Sequence, residues 1–245
     1  MASSSPGPAD SSGRSGEPTA AVLADGVRMS PRARVAYRTI RAGLLAVSKA
    51  WLRVEVFDGD KVPANGGFIL APGGHRSILD TPMASLATSR VLRYMGAENY
   101  FEMPVLGAFL RSAGGFPVER SSTDRAALRV AEAVLANGEP LVVFPEGTRQ
   151  SGPLIQPLKQ GAAFLACRAG VPIVPVGIGG AERAMPKGRN YARPLKIILL
   201  VGDPLYPPVR EPGERVKRSA ISGMSDALSD QLQELYDKAQ IQAGV

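Results

Sequence analysis

Six short apolar runs punctuate the chain, at Leu52–Phe57, Gly67–Ala71, Val91–Met95, Leu141–Phe144, Val171–Ile178 and Leu195–Val201. Each is four to eight residues long and bounded by Gly, Pro, Asn or Asp, as strands are. Between them, helical patterns fall at Thr81–Thr88, Pro104–Ser112, Ser122–Asn137 and Lys159–Ala169, and a last helix is predicted over about 214–240. That last helix carries Ile221, Met224, Leu228, Leu232 and Leu235 along one stripe. Strands that alternate with helices predict one α/β domain, with a mixed, largely parallel sheet flanked by helices. No internal repeat is evident.

The two ends of the chain read differently. Twelve of the first twenty residues are Ser, Gly or Pro, which predicts a disordered tail over 1–25. Ser30 followed by Pro31 then signals a helix start. Ala33, Ala36, Tyr37, Ile40, Leu44, Val47 and Trp51 recur at helical spacing, with Arg34, Arg38, Arg41, Lys49 and Arg53 on the flanks and opposite face. A basic amphipathic helix of this kind suits the headgroup layer of a membrane, and it equally suits a core-packing helix with a solvated basic face. The expected organisation is therefore a tail (1–25), an amphipathic docking segment (26–53), a catalytic domain (54–210) and a C-terminal helix packed on it (211–245).

Charge and cysteine count narrow the partners. A net charge of +7 calls for an anionic partner: nucleic acid, a phosphorylated metabolite or an acidic membrane surface. Lys187, Arg189 and Arg193 with Tyr191 form a basic, aromatic-containing segment, but no nucleic-acid motif accompanies it, and a solvated loop is the expected reading. The single cysteine, Cys167, excludes an internal disulfide and a cysteine-based zinc site, and one histidine leaves little for another transition metal. With no signal-peptide pattern and no membrane-spanning apolar stretch, the expected location is the cytoplasmic face of a membrane, held peripherally.

That one histidine, His75, opens the segment HRSILD, which ends at Asp80. Histidine is the side chain whose ordinary pKa lets it exchange a proton near neutral pH. On a continuous helix, residues five apart point about 140° away from each other and cannot meet. Here Gly73 and Gly74 precede the segment and Pro82 follows it, so the chain can turn and bring Asp80 to one ring nitrogen. The plainer reading is a loop histidine and a helix-capping aspartate. A second cluster, FPEGTR, follows the Leu141–Phe144 run, and strand-end loops are where open α/β sheets hold ligands. Arg149 offers a fork of donors suited to phosphate, with Thr148 and the Gly147 backbone beside it. A third, GGFPVER, places Arg120 after a glycine-rich turn.

HRSILD (75–80), GGFPVER (114–120), FPEGTR (144–149) and VPIVPVGI (171–178) occur in order across Leu52–Val201, and together they resemble the glycerophospholipid acyltransferases, the 1-acylglycerol-3-phosphate acyltransferases in particular. The resemblance implies transfer of an acyl group from acyl-CoA or acyl carrier protein to a glycerol hydroxyl, with no resident cofactor or metal. It implies His75 as general base and Asp80 as its orienting partner. Ser77, Gly115, Arg120, Glu146, Gly147, Thr148, Arg149 and Pro175 form the implied substrate site, the arginines on the acceptor's phosphate. One departure concerns the acceptor. The family often carries a basic residue ahead of the proline of its second block, whereas residues 94–101 before Pro104 contain no Lys. The rival readings are a different acceptor (glycerol-3-phosphate, another lysophospholipid or a glycolipid) and a catalytically silent lipid-binding protein. Cys167, in AAFLACRAG, reads as core packing.

Overall fold

The computed structural model describes residues 28–118, 124–209, 211 and 214–245. The tail read at 1–25 and the predicted site residue Arg120 lie outside the described residues.

Helix α1 (Pro31–Val47) starts where its sequence signals place it. Ser30 is extended and its hydroxyl accepts from the Ala33 amide at 3.2 Å, with Pro31 in the first turn. The helix continues into a single π turn, Ser48–Leu52, and stops at Arg53 in the left-handed region. The predicted stripe divides along its length. Tyr37 is buried, and Leu44 and Leu45 pack on the core. A π turn widens the helix, so within it the stripe drawn at ordinary helical spacing drifts: Leu52 is buried, whereas Trp51 stays more than half exposed, as does Val47 just ahead of the turn. Most of the face predicted for lipid is therefore used in packing. Long-range contacts tie the helix down, among them Arg34 to Glu139 at 2.8 Å, the Tyr37 hydroxyl accepting from the Leu92 amide at 3.2 Å, Arg41 donating to the Ser85 carbonyl at 3.1 Å, and the Trp51 indole donating to the Ala192 carbonyl at 2.9 Å.

The strands are β1 (Val54–Phe57), β2 (Ile69–Gly73), β3 (Arg93–Ala97), β4 (Gly115–Val118), β5 (Leu141–Val142), β6 (Ile173–Gly179) and β7 (Ile197–Val201). They form one sheet in the order β1-β7-β6-β2-β5-β3-β4. Neighbours are parallel except β6 and β7, so β1 and β7 run against the other five. The connecting helices are α2 (Asp80–Ala84), α3 (Glu98–Glu102), α4 (Pro104–Ser112), α5 (Asp124–Ala136), α6 (Gly161–Ala169), α7 (Ala181–Ala184) and α8 (Arg218–Ala243). All six predicted strands form, and α4 has the predicted limits. β4, α3 and α7 are short elements that the apolar pattern did not single out.

Alternate residues of the central strands feed two cores, as the two-residue period of a strand requires. Leu70, Val174, Val176, Leu199 and Val201 face the core shared with α1 and α2, while Ile69, Ala71 and Ile173 face α5, α6 and α8. Helix α8 buries Met224, Leu228, Leu232 and Tyr236 along the sheet. Its approach is close enough to need glycine beneath it: a β-carbon on Gly177 would lie 2.4 Å from the Leu235 carbonyl oxygen. The same helix supports the end of β2. Gly74 takes φ +72°, and a β-carbon there would meet the Tyr236 ring at 2.2 Å. Only glycine allows both the left-handed turn and the ring below it.

Candidate active site

The chain leaves β2 at Gly73, turns at Gly74 and delivers His75 to the carboxyl end of the strand. Adjacent β5 ends at Val142, and the FPEGTR loop follows. His75 Nδ1 lies 3.1 Å from Asp80 Oδ2. The same oxygen accepts from the Arg76 and Ser77 amides at 2.8 and 2.7 Å. Asp80 is the first residue of α2, yet its carboxylate reaches back over the turn, so the helix-cap reading of Asp80 does not describe it. Asp80 is wholly buried, and its Oδ1 has no partner among the described residues. An acceptor already engaged by two main-chain N–H groups requires Nδ1 of the ring to carry the hydrogen. Nε2 is then the basic nitrogen. The ring is 14% exposed and stacks on Phe144, the first residue of FPEGTR, with centroids 4.2 Å apart.

Glu146 holds the two motifs together from beneath. Its Oε1 accepts from the Gly74 and His75 amides at 3.0 and 3.1 Å. Its Oε2 accepts from Arg76 Nη1 at 2.9 Å and from the Gln156 amide at 3.1 Å. Arg76 is as buried as its partner and also donates to the carbonyls of Gly152 and Leu154, at 3.1 and 2.8 Å. Its guanidinium lies 5.4 Å from the centre of the Tyr236 ring. The His75 carbonyl in turn accepts from the Gln150 amide at 2.8 Å. A buried ion pair whose remaining donors and acceptors are also used costs far less than an isolated one. Here it makes a rigid floor under the imidazole.

The structure separates the predicted site residues. His75, Asp80, Ser77, Glu146, Gly147, Thr148 and Arg149 lie on two loops stitched together at the carboxyl ends of β2 and β5. Within that set, Glu146 is spent on the turn, and Ser77 Oγ donates to the Met185 carbonyl at 2.8 Å, fastening the turn to the chain after α7. The Gly147 amide closes its own turn on the Phe144 carbonyl at 3.0 Å. Thr148 and Arg149 are exposed, and Arg149 has no carboxylate partner among the described residues. Gly115 is not brought to this end. It begins edge strand β4, in register with Tyr94, and packs so closely that a β-carbon would lie 2.8 Å from the Leu110 carbonyl oxygen. Pro175 is buried within β6 opposite Ala71, on the face where Gly202 meets Leu235 of α8. Arg76, Phe144 and Tyr236 also belong to the site, beyond the residues predicted for it. An arginine beside the only imidazole, within an otherwise apolar stretch, is the signal that marks the first of them.

Comparison with known proteins gives the family. A family model described as Acyltransferase matches residues 53–179, just over half of the chain. The 1-acyl-sn-glycerol-3-phosphate acyltransferase of Bacillus subtilis (strain 168) is 27% identical over 187 residues, spanning 76% of this chain and 89% of that protein. A Chlamydomonas reinhardtii protein of the same description is 26% identical over 167 residues, and the match spans about half of its length (49%). The crystal structure of the 1-acyl-sn-glycerophosphate acyltransferase PlsC from Thermotoga maritima superposes with a TM-score of 0.64 at 26% identity, over 87% of this chain and 86% of that one. The matched region runs from the end of the π turn through β6 and so contains both stitched loops, and on that ground the chain belongs to the acyltransferase family.

Proposed function

We propose that the protein transfers a fatty acyl group from acyl-CoA to the free hydroxyl of 1-acylglycerol-3-phosphate, forming phosphatidic acid for phospholipid biosynthesis. The observation that carries this reading is the His75–Asp80 contact at 3.1 Å, its ring stacked against the loop that presents Arg149. A silent lipid-binding protein has no use for an imidazole whose tautomer is fixed this way. In the proposed step, His75 Nε2 takes the hydroxyl proton as the alkoxide attacks the thioester carbonyl. The tetrahedral intermediate then collapses, the carbon–sulfur bond breaks, and the imidazolium returns its proton to the departing thiolate. No acyl-enzyme is needed. A positioned base of this kind supplies about 10²–10⁴-fold. Phosphate held by Arg149 orients the hydroxyl from a distance, turning binding energy into rate.

The same proposal puts the protein on the cytoplasmic face of an anionic membrane, bound peripherally. No helix among the described residues is long and apolar enough to cross a bilayer. Apolar side chains exposed on packed neighbours α1 and α4 support surface binding: Val35, Val47 and Trp51 on one, Val105 and Phe109 on the other. Arg38 and Lys49, on α1 and its π turn, are exposed and without carboxylate partners among the described residues.

The test is a purified-protein assay with one labelled acyl group, presented as acyl-CoA and as acyl carrier protein. Acceptors would be 1-acylglycerol-3-phosphate, glycerol-3-phosphate and an unphosphorylated monoacylglycerol. Label moving from CoA to the first acceptor is the expected result. Transfer only to glycerol-3-phosphate or only to the neutral lipid reassigns the acceptor, and transfer to none overturns the reading.

A further inference from the structure

We infer that Lys159 is a second phosphate-binding cation of the acceptor site, taking the place of the basic residue missing from 94–101; the inference rests on the function proposed above. Gly147 sits at φ +77° in the FPEGTR loop, and Lys159 lies directly across it. A β-carbon at Gly147 would be 2.7 Å from Lys159 Cε and 2.9 Å from Nζ. The glycine thus permits the turn and also leaves the space that the lysine stem occupies. The Lys159 main chain is fixed as well, since its amide donates to the Pro145 carbonyl at 2.9 Å. Its ammonium is therefore delivered to the loop by a held backbone.

The charge balance around the loop points to an anionic ligand. Glu146 is the carboxylate of the motif, and Arg76 and three main-chain amides occupy it. Lys159 and Arg149 are both exposed and both lack a carboxylate partner among the described residues. Two uncompensated cations, one at the end of the FPEGTR loop and one across Gly147 from it, attract a phosphate monoester more strongly than either alone. Arg149 provides a planar fork and Lys159 a point charge, so the two can engage different oxygens of the same group. The acceptor's headgroup is such a monoester and must lie within reach of His75; the phosphates of CoA are the other source of the same chemistry.

Steady-state kinetics of Lys159→Gln and Lys159→Arg separate the two sources. Lys159→Gln is expected to raise the KM for 1-acylglycerol-3-phosphate about tenfold, equivalent to about 1.4 kcal/mol. The KM for acyl-CoA and the thermal midpoint should stay near wild type, and Lys159→Arg should recover most of the loss. An unchanged acceptor KM overturns the inference, as does a rise in acyl-CoA KM equal to the acceptor's. A loss matched by a lower midpoint in both variants assigns the lysine to the fold and overturns it too. Should the wild-type protein acylate no phosphorylated acceptor, the proposed function fails. Calorimetric titration with glycerol-3-phosphate then decides the inference by itself: binding weakened about tenfold in Lys159→Gln upholds it, and binding equal to wild type removes it.

Discussion

Asp80 Oδ2 gathers three donors, and that convergence distinguishes a prepared base from a loop histidine. Replacing the ring leaves two of those donors in place, so the turn should survive while proton transfer is lost. His75→Ala is expected to lower turnover by at least about 10²-fold with a nearly unchanged melting temperature. Wild-type turnover in that variant would remove the base mechanism. Glu146 behaves oppositely. Glu146→Gln leaves the Arg76 guanidinium buried beside a neutral amide, and breaking one side of a buried pair costs about 3–5 kcal/mol. A clear drop in melting temperature together with lost activity is expected; a stable variant altered only in acceptor KM would return Glu146 to the ligand. Much of this site is legible as sequence, because HRSILD and FPEGTR each follow an apolar run and meet at adjacent strand ends. What residue types could not convey is the division of labour. Nothing in the letters E and R says that Glu146 faces inward onto Arg76 while Arg149 faces out, since that depends on which side of the turn each residue falls.

At the scale of elements, apolar runs long enough to fill a core predict their strands, and the shortest pieces do not declare themselves. β4 reads Gly-Phe-Pro-Val, with Phe116 buried. A proline and a glycine in so short a run suit an edge strand and hide it from a pattern search. The π turn at Ser48–Leu52 had the opposite effect, making a stripe look continuous when the helix rotates part of it away from the domain. Such junctions are held by buried phenols. Burial pushes the Tyr37 hydroxyl, which links α1 to the strand at Leu92, above its ordinary value, and pushes Tyr94 of β3 well above it. A group whose value is raised by folding contributes in full below its unfolded pKa, roughly 10, and loses that contribution as pH climbs through the folded value. Thermal midpoints should therefore fall steeply above about pH 10. Tyr94→Phe, which gives up only a 3.5 Å contact to the Thr81 carbonyl, should flatten that fall. A midpoint insensitive to alkali would contradict phenol burial as the cause.

The whole molecule combines a net charge of +7 with an apolar surface that its own helices leave open. α1 turns Tyr37 and Leu44 of its predicted stripe inward and leaves Val47 and, in the π turn, Trp51 outside, and α4 adds further exposed apolar groups, Val105 among them at 85%. Met103, Pro104, Val105, Leu106 and Phe109 line a shallow hollow of about 500 Å³ on that helix. An anionic leaflet offers this surface both a charged layer and a place for its apolar side chains. The two contributions respond differently to salt. Attraction between exposed charges is screened within about 8 Å at physiological ionic strength, whereas apolar insertion is not. Wild-type protein should therefore sediment with phosphatidylserine-containing vesicles at low salt and lose only part of that binding at 0.5 M salt. Val105→Asp with Phe109→Asp should abolish the salt-resistant part and leave the melting temperature near wild type, because both side chains already face solvent. Arg38→Glu with Lys49→Glu should remove the salt-sensitive part. Vesicle binding that neither pair alters would detach the site from the membrane and leave its lipid substrates to reach His75 from solution.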